Sequence, residues 1–374
     1  MPAEKINIDQ FLELSKHHLL IDVRSPGEYN HAHIPGAYNM PLFTDEERAV
    51  VGTKYKQESR ESAIKIGLDF FGPKMKLIIE EVEGISNKEF GIGMKESNFR
   101  IPNSESLLVY CWRGGMRSAA VAWLLDLYGY KVYLLAGGYK KYRNHVLDIF
   151  KKPFELKILG GYTGSGKTEV LKELEKKGET IIDLEGIANH KGSAFGNIGM
   201  PPQPSQEMFE NLLALKIQEI TPELKEYSKA PFRGFGGFWL EDESQRIGLI
   251  NIPKDIWNKM RQSPIYFLDV PFEERLKHLV EEYGNLDKQK MIEAITRIKE
   301  RLGGLEAKNA INHLQEGNTT ESFSILLKYY DKWYKKGLHN REELISLLHT
   351  IDCKSVTSLN AKQLIQQPEY HEKS

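Results

Sequence analysis

The chain has 374 residues, of which 40% are hydrophobic and 28% charged, and its formal net charge is −1 at pH 7. This length predicts two domains, and the composition is that of a globular protein rather than a disordered or fibrous one. No apolar run is long enough to cross a bilayer, and the N terminus lacks the apolar centre of a signal peptide. The two cysteines, Cys111 and Cys353, imply no disulfide framework. We therefore expect a protein of the reducing cytoplasm with no membrane partner.

The first half of the chain, residues 1–150, alternates short apolar runs with helical patterns. Strands are predicted from apolar runs bounded by turns, and helices from apolar residues spaced three or four apart. The predicted strands are 19–24, 38–42, 107–111 and 131–135, and the predicted helices are 45–70 and 119–127. Such alternation is typical of a parallel α/β sheet.

The most informative segment of this half is the loop after the strand that ends at Cys111. A Gly-Gly turn and two arginines, Arg113 and Arg117, separate the cysteine from the next helix. Backbone amides and a helix N terminus favour negative charge, so a thiol in this position ionises readily and can act as a nucleophile. We therefore predict that Cys111 is catalytic and that Arg113 or Arg117 pairs with an anion. Cys353 has no flanking cations and is expected to be a bystander.

The second half is predicted to be a separate α/β domain, residues 151–352, followed by a polar tail, 353–374. The boundary is placed at the polar, proline-containing stretch 151–153, and the tail is expected to be loosely attached. The predicted strands are 154–159, 180–183, 237–240 and 265–269, and the predicted helices are 169–177, 205–217, 272–282 and 291–302. A basic cluster near the boundary is a candidate nucleic-acid surface, although a solvated surface is the more ordinary interpretation of Lys131, Lys140, Lys141, Arg143, His145, Lys151, Lys152 and Lys157.

A phosphate-binding loop follows the first strand of the second half. Residues 161–168 match the Walker A pattern between a predicted strand and a predicted helix. The predicted phosphate-binding residues are Gly161, Thr163, Gly164, Ser165, Gly166, Lys167 and Thr168. The Thr168 hydroxyl is of the kind that holds Mg²⁺, so this ion is left open as a companion of the phosphates. No tightly bound cofactor and no other metal site are expected.

Further candidates are less specific. Asp183 and Asp242, the latter in the acidic group 241–243, follow predicted strands and are candidate contacts to a metal-bound water or the substrate. His190 lies in a glycine-rich segment that resembles a binding loop. Arg297 and Arg301, four apart on one predicted helical face, are candidate lid arginines for a polyphosphate.

Several of these segments carry a family resemblance. Ile-Asp-Val-Arg-Ser-Pro-Gly-Glu-Tyr at 21–29, His-Ile-Pro-Gly-Ala at 33–37 and Leu-Ala-Gly-Gly-Tyr at 135–139 resemble the rhodanese domain. Together with the segments at 47–57, 111–118, 160–168, 183–196, 202–206 and 241–244, they resemble bacterial tRNA 2-selenouridine synthases from about residue 8 to 335. The departures are conservative, such as Lys191 in place of an expected arginine.

This resemblance implies an N-terminal rhodanese-like domain followed by a P-loop NTPase-like parallel α/β domain. It implies a transferase that replaces the sulfur of wobble 2-thiouridine in tRNA with selenium from selenophosphate, through an S-geranyl intermediate made from geranyl diphosphate. Cys111 would carry or deliver the selenium. The residues themselves leave open whether the P-loop holds geranyl diphosphate, a nucleotide or a tRNA phosphate.

Two other enzyme classes compete with this interpretation. The spacing Cys-x5-Arg from Cys111 to Arg117 also suits a cysteine-dependent phosphatase, although Tyr110 stands where many such enzymes place histidine. The segment 265–275 resembles a strand of small-molecule kinases, which favours a P-loop kinase with a regulatory rhodanese module.

Overall fold

The computed structural model describes residues 3–86, 106–221 and 237–365. The chain divides into two compact units, one of residues 1–149 with 210–215 and one of residues 150–209 with 216–374. The main division lies next to the boundary predicted at residue 151. The assignment of residues 210–215, in the middle of a helix, to the first unit has no counterpart in the sequence patterns.

The first unit contains a five-stranded parallel sheet in the order β1-β5-β4-β2-β3. Its strands are β1 (Glu4–Ile6), β2 (Leu19–Asp22), β3 (Tyr38–Asn39), β4 (Ser106–Tyr110) and β5 (Lys131–Leu135). Its helices are α1 (Ile8–Ser15), α2 (Pro26–His31), α3 (Asp45–Gln57), α4 (Arg60–Phe71), α5 (Met75–Ser86), α6 (Met116–Tyr128) and α7 (Gly138–Lys151). The central strand β4 is buried on both faces from its second residue onward, as its unbroken apolar sequence requires.

The helix predicted over 45–70 is two helices. Thr44 caps α3 with a reciprocal bond to Glu47, and Ser59 accepts a hydrogen bond from the Ser62 amide to begin α4. The first helix therefore ends at Gln57, and the polar N-cap Ser59 starts a second one within a continuous periodic pattern.

The second unit contains a parallel sheet in the order β12-β11-β6-β8-β7. Its strands are β6 (Leu156–Gly161), β7 (Ile181–Ile182), β8 (Phe238–Glu241), the antiparallel pair β9 (Arg246–Ile247) and β10 (Ile250–Asn251), β11 (Ile265–Asp269) and β12 (Leu348–Asp352). Its helices, together with α10 that the two units share, are α8 (Lys167–Lys176), α9 (Leu184–Ala188), α10 (Gln206–Ile220), α11 (Lys254–Gln262), α12 (Phe272–Tyr283), α13 (Lys288–Arg297), α14 (Lys299–Leu302), α15 (Gly304–Gln315), α16 (Thr319–His339), α17 (Leu344–Leu347) and α18 (Ala361–Ile365). None of the helices in the described ranges combines the length and apolarity needed to cross a membrane.

The C-terminal segment is part of this core as far as Ile365. All five residues of β12 pair with β11, and Cys353, Ala361 and Leu364 are buried in the cluster around α8. The expectation of a loosely attached tail is therefore wrong for residues 353–365, because a few apolar residues among many polar ones suffice to anchor it. Residues 366–374 lie outside the described residues.

Candidate functional site

Cys111 lies directly after β4, at the carboxyl end of the central strand of its sheet, where open α/β sheets place their ligands. Its side chain is buried, with 3% exposure. The Gly115 amide donates a hydrogen bond to Sγ at 3.3 Å, and the Ser118 hydroxyl lies 3.2 Å from Sγ. These contacts place Cys111 Sγ at the start of α6, which is the strand-loop-helix arrangement that the sequence pattern predicts.

Two glycines hold this loop against the start of α7. Gly114 and Gly138 have φ of +62° and +60°. A Cβ on Gly138 would lie 2.3 Å from the Cys111 carbonyl oxygen and 2.4 Å from the Gly114 nitrogen. The amides of Tyr139 and Lys140 donate to the carbonyls of Cys111 and Trp112 at 2.8 and 3.0 Å. The Gly-Gly segment thus fixes the path of the Cys111 loop.

A buried ion pair supports the Cys111 loop through Tyr139. Arg24 and Asp22 are almost completely buried and joined by a bidentate contact, with Nη2 to Oδ2 at 2.6 Å. The Arg24 guanidinium also lies over the Tyr139 ring, 3.9 Å from its centre. Asp22 and Arg24 of the rhodanese-like motif therefore contribute an internal support for the loop.

The two predicted anion-binding arginines differ in their surroundings. Arg117 forms a bidentate pair with Glu28 of α2, at 2.6 and 3.2 Å. Burial alone would raise the pKa of Glu28, but the hydrogen bond and charge of Arg117, with help from Arg48, lower it to about 2. Arg113 is exposed and has no side-chain partner among the described residues. Arg113 is therefore the arginine of this loop that is available to a ligand.

The P-loop lies after β6, which is likewise the central strand of its sheet. Gly164 and Gly166 have φ of +78° and +76°, and Lys167 donates to the Gly161 carbonyl at 3.1 Å. Arg275, held by two hydrogen bonds to Asp331, donates to the Thr163 carbonyl at 3.1 Å. Nothing in the local sequence pairs Arg275 with a loop more than 100 residues away, so this support was not predicted.

A cavity of about 1010 Å³ opens over this loop. Its lining includes residues 163–168 of the P-loop. It also includes a set of apolar and aromatic residues, namely Phe195, Leu279, Tyr283, Phe323, Leu326, Leu327, Tyr330, Trp333 and Leu338. A cavity lined by both loop amides and apolar side chains suits a ligand with a phosphate group and a hydrophobic body.

The acidic group after β8 reaches the P-loop through Glu241. Glu241 is completely buried and accepts a hydrogen bond from the Thr168 hydroxyl at 2.9 Å, while its Oε2 has no hydrogen-bond partner. Asp242 instead accepts from Tyr334 at 2.6 Å and pairs with Arg341. The prediction named the acidic group 241–243 and singled out Asp242. All three residues line the cavity, and the one that hydrogen-bonds a P-loop side chain is Glu241, because neighbouring residues of a strand point to opposite faces.

Other carboxylates line the same cavity near Lys167. Asp183 caps α9 by accepting from the Gly186 amide, and Glu185 and Glu243 lie beside each other next to Gly192. Burial, followed by the charges of Glu243 and Glu241, raises the pKa of Glu185 well above its usual range. Burial, Asp183 and Glu243 raise the pKa of Glu241 to about 8.

The remaining predicted residues, Arg297, Arg301 and His190, do not lie at one site. Arg301 lines the P-loop cavity, whereas Arg297 lines a smaller cavity and donates to Ala194 and Asn197. The prediction of one helical face is wrong, because α13 ends at Arg297 and α14 begins at Lys299. His190 is buried outside the lining of the P-loop cavity, and burial, with Arg297, lowers its pKa.

Comparison with known proteins identifies both units. A family model described as the tRNA 2-selenouridine synthase AAA domain matches residues 154–366, and a rhodanese-like domain model matches residues 7–145. The chain belongs to the tRNA 2-selenouridine synthase family. The tRNA 2-selenouridine synthase of Sulfurovum sp. (strain NBC37-1) is 34% identical over 348 residues, which cover 84% of this chain and 87% of that protein. That of Bdellovibrio bacteriovorus is 33% identical over 384 residues, which cover 91% and 94%.

The predicted resemblance and the order of a rhodanese-like and a P-loop domain are thereby confirmed. Thr168 and Glu241 are the residues that would hold a Mg²⁺ ion beside a bound phosphate. A hydroxyl and a buried carboxylate with one unpaired oxygen are ligands that this ion prefers. Among the described residues, no group of three or more His, Cys, Asp and Glu side chains is arranged to hold a metal by itself.

Proposed function

We propose that this member of the tRNA 2-selenouridine synthase family is a transferase that works in two steps on wobble 2-thiouridine of tRNA. Geranyl diphosphate first converts the thiocarbonyl into an S-geranyl group, and selenophosphate then supplies the selenium that replaces it. The P-loop unit carries out the first step and the Cys111 loop the second.

The observation that carries this proposal is the cavity over the P-loop, whose lining combines the loop with apolar and aromatic side chains. Its loop amides and Lys167 suit a diphosphate, and its apolar residues suit a chain of ten carbons. In the first step the thiouridine sulfur bonds to C1 of the geranyl group, the C–O bond breaks, and diphosphate leaves while N3 loses its proton. Lys167 stabilises the charge that develops on the departing diphosphate. Mg²⁺ bound between Thr168 and Glu241 would neutralise part of the same charge.

For the second step, the Cys111 loop is suited to an anion of phosphate size. Selenophosphate already holds selenium at the oxidation level of selenide, so no redox partner is needed. Cys111 Sγ attacks phosphorus, the P–Se bond breaks, and the selenide released attacks C2 of the uridine while geranylthiolate leaves. Water then hydrolyses the phosphocysteine to phosphate. The loop amides, Arg113 and the Ser118 hydroxyl hold the anion and the sulfur in place.

Incubation with a 2-thiouridine tRNA, geranyl diphosphate and selenophosphate, followed by mass spectrometry of the nucleosides, tests the proposal. The wild-type protein is expected to form 2-selenouridine. The Cys111→Ala variant is expected to accumulate S-geranyl-2-thiouridine, and Lys167→Ala to leave 2-thiouridine unchanged. Thr357→Ala, a change in a hydroxyl that only caps a short C-terminal helical turn, is a control that should retain both steps.

Three results would contradict the proposal. Full activity of both variants would remove Cys111 and Lys167 from the reaction. Turnover of an aryl phosphate that needs Cys111 would favour the phosphatase. Phosphoryl transfer from ATP that needs no tRNA and survives Cys111→Ser would favour the kinase with a regulatory rhodanese module.

A further inference from the structure

Beside Cys111, the first unit presents a partly exposed aromatic ring. Trp112 follows the nucleophile directly, and 37% of its surface is exposed although it is one of the largest apolar residues of the unit. Its backbone is fixed, because its carbonyl accepts the Lys140 amide at 3.0 Å, and its ring packs at an angle on Tyr139, 5.7 Å between centres. The ring is thus held in a defined position at the surface.

Two lysines accompany this ring. Lys140 and Lys141 lie in the first turn of α7, are exposed, and make no side-chain ion pair with any described residue. The first turn of a helix disfavours cations, because the positive end of the helix dipole lies there, and this turn contains no acidic residue to offset them. Stability therefore does not account for their position, whereas an anionic ligand does.

We propose that Trp112, Lys140 and Lys141 form the surface that presents the tRNA anticodon to Cys111. Trp112 stacks on the target uridine or its neighbour in the loop, and the two lysines contact the flanking phosphates. An aromatic platform with adjacent cations is how proteins bind unpaired nucleotides. This inference rests on the proposed function, since it assigns a positioning role in the selenium step.

The test measures binding of an anticodon stem-loop that contains 2-thiouridine, together with KM and kcat for the full tRNA. Trp112→Ala is expected to raise Kd and KM about 5- to 150-fold, the range of one lost base stack, and Trp112→Phe to restore most of the affinity. Trp123→Ala is the matched control, because Trp123 is even more exposed, at 55%, on the outer side of α6. It should change neither constant.

The lysines are tested by the dependence of affinity on salt. Replacing both by glutamine should lower the slope of log K against log salt by about 1.4, which is two single-strand phosphate contacts. Lys65→Gln, an exposed lysine of α4, should leave the slope unchanged.

Fluorescence gives a readout that an unfolded variant cannot mimic. Titrating wild-type protein with the stem-loop should quench tryptophan emission, and this quenching should disappear in Trp112→Phe but persist in Trp123→Phe. Equal Kd, salt slope and quenching in the surface variants and their controls would overturn this inference even if 2-selenouridine forms. Failure of the wild-type protein to form 2-selenouridine would instead overturn the proposed function, while the binding measurements would still decide the role of Trp112.

Discussion

Cys111 and Cys353 are both buried, yet their surroundings give them different chemistry. An amide and a hydroxyl surround the Cys111 sulfur. Burial, followed by the charges of Asp269 and Asp352, raises the pKa of Cys353 to about 11. At pH 7 only about one Cys353 thiol in ten thousand is then ionised, too few for a nucleophile.

We therefore expect Cys353→Ala to keep at least half of the wild-type rate of 2-selenouridine formation, with a loss of about 1 kcal/mol in stability from the small cavity. Cys111→Ala in parallel should abolish selenium incorporation. Loss of turnover in a folded Cys353→Ala protein would show that the second thiol takes part.

A second residue-scale prediction concerns Glu28. Its folded pKa of about 2 lies below the ordinary value of 4.5, so the pair with Arg117 contributes stability above about pH 5 that is lost as the pH falls toward 2. This contribution is at most about 3 kcal/mol. Glu28→Gln should lower the urea midpoint at pH 7 and make the midpoint less dependent on pH between 5 and 2.

Urea unfolding of the two proteins at a series of pH values measures this difference. Glu80→Gln, which removes an exposed carboxylate of α5 that pairs with Lys76, is the control and should follow the wild-type curve. A Glu28→Gln curve parallel to the wild type from pH 5 to 2 would mean that Arg117 is held by other contacts.

At the scale of elements, the Cys111 loop depends on its contact with the Gly-Gly turn. In Gly138→Ala the new Cβ meets main-chain atoms of the loop at 2.3 and 2.4 Å, which cannot be relieved by moving a side chain. We expect at least a tenfold loss of the selenium step, with S-geranylation retained. Nucleoside mass spectrometry separates the two products.

Gly36→Ala is the matched control for backbone strain. Gly36 also has a left-handed φ, of +84°, but its Cβ would meet nothing within 4 Å. It should lose about 1–2 kcal/mol of stability and keep the selenium step. Equal activity of the two alanine variants would show that the close contact at Gly138 is not needed.

The strands and loops also differ in how well the sequence predicted them. The strand 131–135 and the strand 265–269 were predicted to the residue, because each is a short apolar run with β-branched and aromatic residues, too short for a typical helix. The Cys111 loop and the P-loop were found for a similar reason, since their chemistry is local. β1 and β12 escaped prediction because short, partly polar strands at the edges of a sheet carry little periodic signal.

Local sequence patterns did not predict contacts between residues that are far apart in the chain. Glu28 and Arg117 are 89 residues apart, and Thr168 and Glu241 are 73 apart. Only the pairing of parallel strands brings their carboxyl ends to one edge, and the side chain that faces the loop depends on register. Sequence therefore indicated where each reaction centre lies but not which acidic residue completes it.

At the scale of the whole molecule, the described residues that form each of the two candidate centres belong to one unit. The Cys111 loop is built by β4, α6, α7 and α2, and the described residues that line the cavity over the P-loop lie between 163 and 340 in the second unit. We therefore expect a molecule with one damaged centre to keep the other active.

This independence predicts complementation between inactive variants. Cys111→Ala can make the S-geranyl tRNA but not consume it, and Lys167→Ala can consume it but not make it. A mixture should form 2-selenouridine, at a rate that rises with the concentration of the Lys167→Ala protein because the intermediate must move between molecules. The double variant mixed with each single variant at the same total concentration sets the background. If the single variants stop at the expected nucleosides but their mixture forms no 2-selenouridine, the intermediate passes only within one chain, and the two centres are independent in construction but not in use.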